Sequence, residues 1–595
     1  MMRQNSPLAS DVLRWLAGLP FLGVDDLALL TGQPGPDVEG VLREMRQDGL
    51  VDAVTPSSPE LDSAPLYVLT EPTRRWLGST LDGEPVRALP LAWRDIIHWL
   101  ARLEATVALN AFAAGLAASL HSADHEVSDF HVLPVRRPQD AWWPPGVQGY
   151  GCIRAVAGAA PFFIFVDRAG APSAHRAALI AGWYRFRDSG QPWGYDIPPI
   201  LVLCPGQARE GEWARAVLAS AERRDSVPLR VLLTSVAAGT DGFGLRTWQL
   251  VAGPGRAALM EWLPVRHWDH LALSAAPLPD LHPPAPGEER QPLHRWAREV
   301  ATGARNSTTV ERTAANALTT SMVEKLLTEC VARHPLLSEA DLATVLHCER
   351  RLVRSAIERA TTQALIAHFE RSGDRCLRYC LAPAGLRVLA LRDGVPVRRY
   401  ARHAPVTVLA TGEGERAPTL LQQYEHTIGA NGFFIAWLDR PKGGPRLLSW
   451  LGAAESAVRF ESGGRRRWLR PDGAGALLTR DHHSPFLLEW DRGTERPPVL
   501  AEKLARYEEF FRSHTTAANE PTVLFVTTSP QREDLVRQMA TAILLQHGRR
   551  LLTTTASMLE RFGPRAAIWR AGTTEPRTSW PDSGSTERKP PEVPG

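Results

Sequence analysis

The sequence predicts an α/β and winged-helix multidomain chain, built as two repeats of one unit with the first repeat degenerate. Three observations carry this. The 595 residues give a prior of roughly four domains. Four segments recur in the same order in the two halves. Each half opens on three short helical patterns followed by two strand patterns around a polar turn. The expected boundaries are a winged helix over 1–90, a degenerate α/β domain over 91–265 and a Pro-rich linker over 266–320. A second winged helix over 321–400, an α/β domain with the candidate site over 401–572 and a disordered tail over 573–595 follow.

The recurrence begins with the helices: FLGVDDLALL matches LLSEADLATV, setting Asp26-Leu27 against Asp341-Leu342. EATVALNAF at Glu104 matches EHTIGANGF at Glu425. The stretch from Phe162 lines up without a gap on that from Phe486, and ILVLCPGQARE on VLFVTTSPQRE, each followed by a strand pattern and then Trp248 or Trp569.

Composition limits the function classes. A net charge of +3 gives no global basic signal, so nucleic-acid binding has to come from local patches. Only Lys325, Lys442, Lys503 and Lys589 are lysines among 68 basic residues, so each one carries information. The six cysteines form no CxxC pair, which argues against a zinc site or disulfide framework and fits a cytoplasmic protein. The N-terminus reads as lacking a signal peptide, and Ala105 to Leu120 is too short an apolar stretch to span a membrane.

In each winged helix the helices read as 8–17, 24–31 and 36–47, and as 322–334, 338–346 and 350–362. The third helix of such a module enters the major groove. The second copy carries Arg350, Arg351, Arg354 and Arg359 there, suited to phosphates and guanine edges. The first carries Arg43 and Arg46 among Asp37, Glu39 and Glu44, so DNA and protein docking stand level for it.

The chemistry concentrates in the last α/β domain. Pro471-Asp472 lies beside a strand, and Glu489 and Asp491 are two apart on the next, so both face one way. Three clustered carboxylates call for a hard cation, Mg²⁺ or Mn²⁺. The following helix sets Lys503 and Tyr507 four residues apart on one face. An ammonium retained in an arginine-rich chain points to a need for a compact charge. RRRWLR supplies Arg465, Arg466, Arg467 and Arg470 around Trp468, a phosphate-gripping segment with a stacking ring or a solvated loop. In the first half Phe165, Leu179 and Trp183 stand at the positions of Glu489, Lys503 and Tyr507, Asp167-Arg168 persist against Asp491-Arg492, and Asp140 is aligned with Asp472.

Pro471-Asp472, then Glu489-x-Asp491-Arg492-Gly493-Thr494, then the Lys503/Tyr507 helix behind a winged helix, resemble the replication-relaxation family of mobile elements. That family is similar to PD-(D/E)xK restriction-endonuclease-like proteins and to MobC-type relaxases. The likeness spans about 321 to 570, with 8 to 250 in degenerate form, and departs where the usual E-x-K reads E-x-D. It implies site-specific binding and nicking of plasmid or integrative-element DNA. The partner would be double-stranded DNA, with a single-stranded segment and other mobile-element proteins as further partners, and no membrane. His426 fits the family's helix opening the α/β domain. Tyr507 or water would be the nucleophile. A non-catalytic replication or mobilisation accessory factor is the competing reading.

Overall fold

The computed structural model describes residues 7–80, 92–120, 125–134, 141–156, 158–168, 170–189, 193, 196–235, 246–266, 292–371, 374, 376–403, 422–438, 444–479, 482–514, 520–545, 550–572 and 576–581. The chain divides into two units, Met1–Lys325 with Leu386–Ala404, and Leu326–Gly385 with Pro405–Gly595.

In the first unit, apolar residues at helical spacing bury Val12, Leu13, Trp15 and Leu16 of α1 (Pro7–Gly18). Helices α2 (Val24–Thr31) and α3 (Gly35–Gln47) follow, then the antiparallel hairpin β1 (Val51–Val54) and β2 (Leu66–Leu69). Next come α4 (Glu71–Thr80), α5 (Trp93–Leu100) and α6 (Leu103–Leu120). On length and composition α6 could cross a bilayer, but it is a mostly buried core helix here. Strands β3 (Glu126–Val132), β4 (Gly149–Ala155) and β5 (Gly158–Val166) form an antiparallel meander. Helix α7 (Ser173–Asp188) leads to β6 (Ile200–Cys204), and α8 (Gln207–Glu222) to β7 (Val231–Ser235), both parallel to β5. Strands β8 (Trp248–Leu250) and β9 (Arg256–Ala257) complete a sheet of seven, followed by α9 (Leu259–Trp262).

Two helices, α10 (Leu293–Ala301) and α11 (Thr309–Thr319), occupy part of the expected linker. They bury Leu293, Trp296, Val300, Ala314 and Ala315 in the first unit's core, so the tether over 266–320 is shorter than composition suggested; 267–291 lie outside the described residues.

From Met322 on, the chain repeats the order of elements. Helices α12 (Met322–Arg333), α13 (Glu339–Leu346) and α14 (Arg350–Thr362) precede the hairpin β10 (Ile366–Phe369) and β11 (Arg378–Leu381). After α15 (Pro383–Arg392) and α16 (Val397–His403), α17 (Tyr424–Leu438) leads into β12 (Arg446–Gly452). A side hairpin, β13 (Val458–Ser462) and β14 (Arg465–Leu469), precedes β15 (Gly473–Thr479) and β16 (His482–Asp491). Helix α18 (Pro497–His514), β17 (Thr522–Thr527), α19 (Pro530–Ile543), β18 (Leu551–Thr555) and α20 (Ala556–Phe562) finish the unit. The sheet runs β12-β15-β16-β17-β18, antiparallel through β16 and parallel from β16 to β18, as in β3 to β7.

Two boundaries move. Residues Leu386–Ala404 group with the first unit, not with the rest of the expected 321–400 module. In the expected tail, Arg577 pairs with buried Glu533 at 2.6 Å and Trp580 packs on Phe486 and Trp569, so 576–581 are ordered against the core; 573–575 and 582–595 lie outside the described residues.

The recurring motifs have matching local causes. Asp26 and Asp341 each accept a backbone N–H at the start of their helix, from Gly23 and Ser338, while Leu27 and Leu342 are buried. Phe21 and Leu336 share a left-handed φ of 67° and each donates to a hairpin carbonyl, of Tyr67 or Tyr379, at 2.8 Å. Asn110 on α6 donates to the carbonyls of Pro20 and Phe21, and Asn431 on α17 to that of Pro335, tying each α/β layer to its own helical module. Gly151 and Gly475 sit where a Cβ would overlap the rings of Phe162 and Phe486.

Candidate active site

The run from Asp472 to α18 brings Asp472, Glu489, Lys503 and Tyr507 to the ends of the strands, and α17 adds His426. Glu489, on β16, is 2 % exposed. Its Oε2 accepts from Lys503 Nζ at 3.1 Å and its Oε1 from the Tyr507 hydroxyl at 2.5 Å, so one face of α18 holds both carboxylate oxygens. Asp472, just before β15, accepts the Trp490 backbone N–H on Oδ2 at 2.8 Å and pairs with His426 Nε2 through Oδ1 at 2.9 Å. His426 comes from the first turn of α17, which packs close to β16: a Cβ on Gly429 would overlap the Trp490 ring.

The turn between β10 and β11 holds that first turn in place. The Tyr424 hydroxyl donates to Asp374 at 2.6 Å, and Arg371 binds Glu425 at 2.8 Å. Both Arg371 and Asp374 lie in the turn between β10 and β11.

The electrostatics follow from burial and proximity. Desolvation, then repulsion from Asp472, pushes the Glu489 carboxyl up to about 7 against the pull of Lys503 and Tyr507. Burial opposes the Lys503 ammonium, but Glu489, Glu495 and Asp472 outweigh it and raise its pKa. Burial likewise opposes the His426 imidazolium, and Asp472 and Glu489 outweigh it. Burial and Glu489 drive the Tyr507 phenol well above its ordinary range.

Three sequence expectations change. Asp491 does not join Asp472 and Glu489: Arg532 of α19 holds both its oxygens, at 2.6 and 3.3 Å, and Gly493 N–H adds a third donor. Among the described residues no three His, Cys, Asp or Glu side chains are placed to hold a metal together. Tyr507 is fully buried, with its hydroxyl committed to Glu489 and not exposed. Asp140 lies outside the described residues, and Gln148 occupies the place of Asp472: Gln148 N–H donates to Ile164 O as Asp472 N–H does to Leu488 O. Extending the gap-free match upstream from Phe162 and Phe486 would have found this.

Glu495 was missed. It pairs with Lys503 at 2.9 Å from the turn after β16, and a carboxylate eight positions before the domain's rare lysine was its only signal.

The arginines expected to bind nucleic acid lie on two surfaces. Arg350 and Arg351 are exposed on α14, where Arg354 is held by Glu339 at 2.8 and 3.0 Å and Arg359 donates to Ser355. Arg465, Arg466 and Arg467 lie on strand β14 and not in a loop, Arg467 pairing with Glu509 at 3.1 Å, and Arg470 stands over the Trp468 ring at 5.6 Å.

Fold and site define a mixed α/β protein with a buried acid–base cluster at the strand ends. Residues 329–524 match the family described as Replication-relaxation. Among solved structures, the transcriptional regulator SlyA aligns at 20 % identity over 23 % of this chain and 92 % of its own, with a TM-score of 0.13. The restriction endonuclease FokI aligns at 10 % identity over 89 % of this chain and 79 % of its own, with TM-scores of 0.15 in its DNA-bound structure and 0.17 in another. Scores this low carry no argument about this chain. No curated protein matches it at a significant level.

Proposed function

We propose that this is a cytoplasmic DNA-binding protein of a plasmid or integrative element whose second α/β domain nicks DNA for replication or mobilisation. One observation carries the reading: Glu489 bonded to Lys503 and Tyr507 lies within electrostatic reach of the His426–Asp472 pair, and Ala105, Gln148, Phe165, Leu179 and Trp183 stand at the matching positions of the first unit. A fold that packs with neutral groups there has no structural need of the ionisable ones. The match to the replication-relaxation family over 329–524 supports the DNA role. The matched topologies and matched Asn110 and Asn431 contacts support descent of both units from one duplicated winged helix and restriction-endonuclease-like domain.

Asp472 and Glu489 fit Mg²⁺ or Mn²⁺ in the ordinary mode of one or two carboxylates with water completing the shell. Their mutual repulsion, which lifts Glu489, is what such a charge relieves. Bound there, the ion would supply Lewis-acid polarisation of a phosphodiester. Lys503 offers its compact charge beside Glu489 to the phosphate, and Tyr507 fixes the other carboxylate oxygen. His426 lies against Asp472, whose charge favours the protonated ring. With Tyr507 buried, water is the nucleophile. Exposed Arg350 and Arg351 of the second winged helix, with Arg354 and Arg359 beside them, position the duplex.

The non-catalytic reading is favoured by one feature: all four oxygens of Asp472 and Glu489 already have a protein donor. A supercoiled plasmid carrying the element's own origin region, incubated with Mg²⁺ or Mn²⁺, separates the two. Glu489→Gln is expected to slow nicking by at least about 100-fold. Equal nicking by the variant removes the site, and binding without nicking by the wild type establishes the accessory role.

A further inference from the structure

The hairpin of β13 and β14 has two unlike faces. Phe460 and Leu469 are buried, and Phe460 meets Phe510 of α18 edge-on at 5.6 Å. Arg467 on the same side is tied to Glu509 of that helix. The strand register puts Arg459 opposite Trp468 and Glu461 opposite Arg466 on the other face. That face is open. Trp468 is 45 % exposed, Arg459 and Arg466 are exposed, and Arg470 stands over the Trp468 ring. Glu461 is the one opposing charge on it, 3.5 Å from Arg466.

A tight turn makes the ribbon rigid enough to present that face. Gly463 and Gly464 both have left-handed φ, 56° and 72°, as a two-residue hairpin loop requires. The ribbon is also placed by the site: Arg470 is two residues before Asp472. In the first unit, the connection between β3 and β4 carries no strand among the described residues.

We infer that this ribbon is a stacking platform for an unpaired base of DNA next to the cluster around Asp472, with Trp468 as the platform and Arg459, Arg466 and Arg470 gripping the flanking phosphates. An indole left half in water on a basic face gains most from a base whose π-face is free, and in duplex DNA those faces are covered by neighbours. Stacking tolerates any sequence, and the arginines supply the salt-dependent part of the affinity. The inference rests on the DNA-binding reading and not on the nuclease chemistry.

The full chain, with chelator present so that nothing is cut, is titrated into labelled oligothymidine and into a blunt duplex of equal length and mixed sequence. Trp468→Ala is expected to weaken oligothymidine binding about tenfold and to leave duplex binding within about twofold, while Trp468→Phe retains most of the affinity. Arg466→Ala is expected to lower both affinities and the salt dependence. Equal losses on both DNAs for Trp468→Ala, no loss on oligothymidine, or no oligothymidine binding by the wild type each overturn the inference. A protein that binds in the expected pattern yet nicks no plasmid loses the nickase reading and keeps this one.

Discussion

The two α/β domains share a topology and differ at their strand ends. In the first, Phe165 packs edge-on against Trp183 and Trp213 at 6.1 and 5.4 Å, and those two indoles stack on each other at 5.6 Å. In the second, Glu489 and Tyr507 stand at the places of Phe165 and Trp183, and their partner Lys503 at that of Leu179. Two residues further along the same strands the pairing is kept. Asp167 faces Arg209 as Asp491 faces Arg532, and Glu210 pairs with Arg256 as Glu533 does with Arg577. Groups present in both domains belong to the scaffold. Groups present in one belong to whatever that domain alone does.

The largest effect should come from the shared ion pairs. Removing one partner strands a buried charge, so Arg532→Ala is expected to destabilise the second unit by about 3–5 kcal/mol, and Arg209→Ala the first by a similar amount. Calorimetry on the full chain reads both. A marked loss for one and none for the other breaks the equivalence of the domains and reopens a functional role for Asp491.

A smaller effect is expected within the cluster. Lys503→Leu leaves Glu489 buried without its cation and should cost about 2–3 kcal/mol, discounted because Lys503 is partly open to water. Installing the first unit's full set, His426→Ala, Asp472→Gln, Glu489→Phe, Lys503→Leu and Tyr507→Trp, should restore most of it. If the five-fold variant is no more stable than the single one in urea titrations, the apolar set depends on surroundings particular to the first unit.

The smallest effect concerns His334, which stacks on Trp450 at 3.7 Å where the first unit has Leu19. Burial, then the Arg333 charge, lowers its pKa to about 3. The unfolded chain, with a histidine near 6.5, therefore takes up the proton first. Stability is full above about 6.5 and is lost as pH falls toward 3, reaching at most about 2 kcal/mol by pH 5. His334→Leu should flatten that acid limb of the urea midpoint, and an unchanged limb would place the titrating group elsewhere.

Much of the fold was legible because its signals are local. The helices at 24–31 and 339–346 follow from apolar spacing and from Asp26 and Asp341 near their starts. Lys503 stood out through composition, and the alternation of β16 put Glu489 and Asp491 on one side. Alternation names a face and not what waits there. Arg532 arrives from a helix 41 residues further on and claims Asp491, and no local pattern carries that pairing. The same limit hid Gln148, Glu495 and the helices α10 and α11, which charge and proline content made read as linker.

By itself the sequence determined the order of elements, the apolar faces and the candidate residues, since short-range sterics and side-chain periodicity set these. The tertiary structure decided which carboxylates share a site. Desolvation and Coulomb interaction act through space, so Asp472 and Glu489 became coupled with His426 and Lys503, while Asp491 became an internal salt bridge.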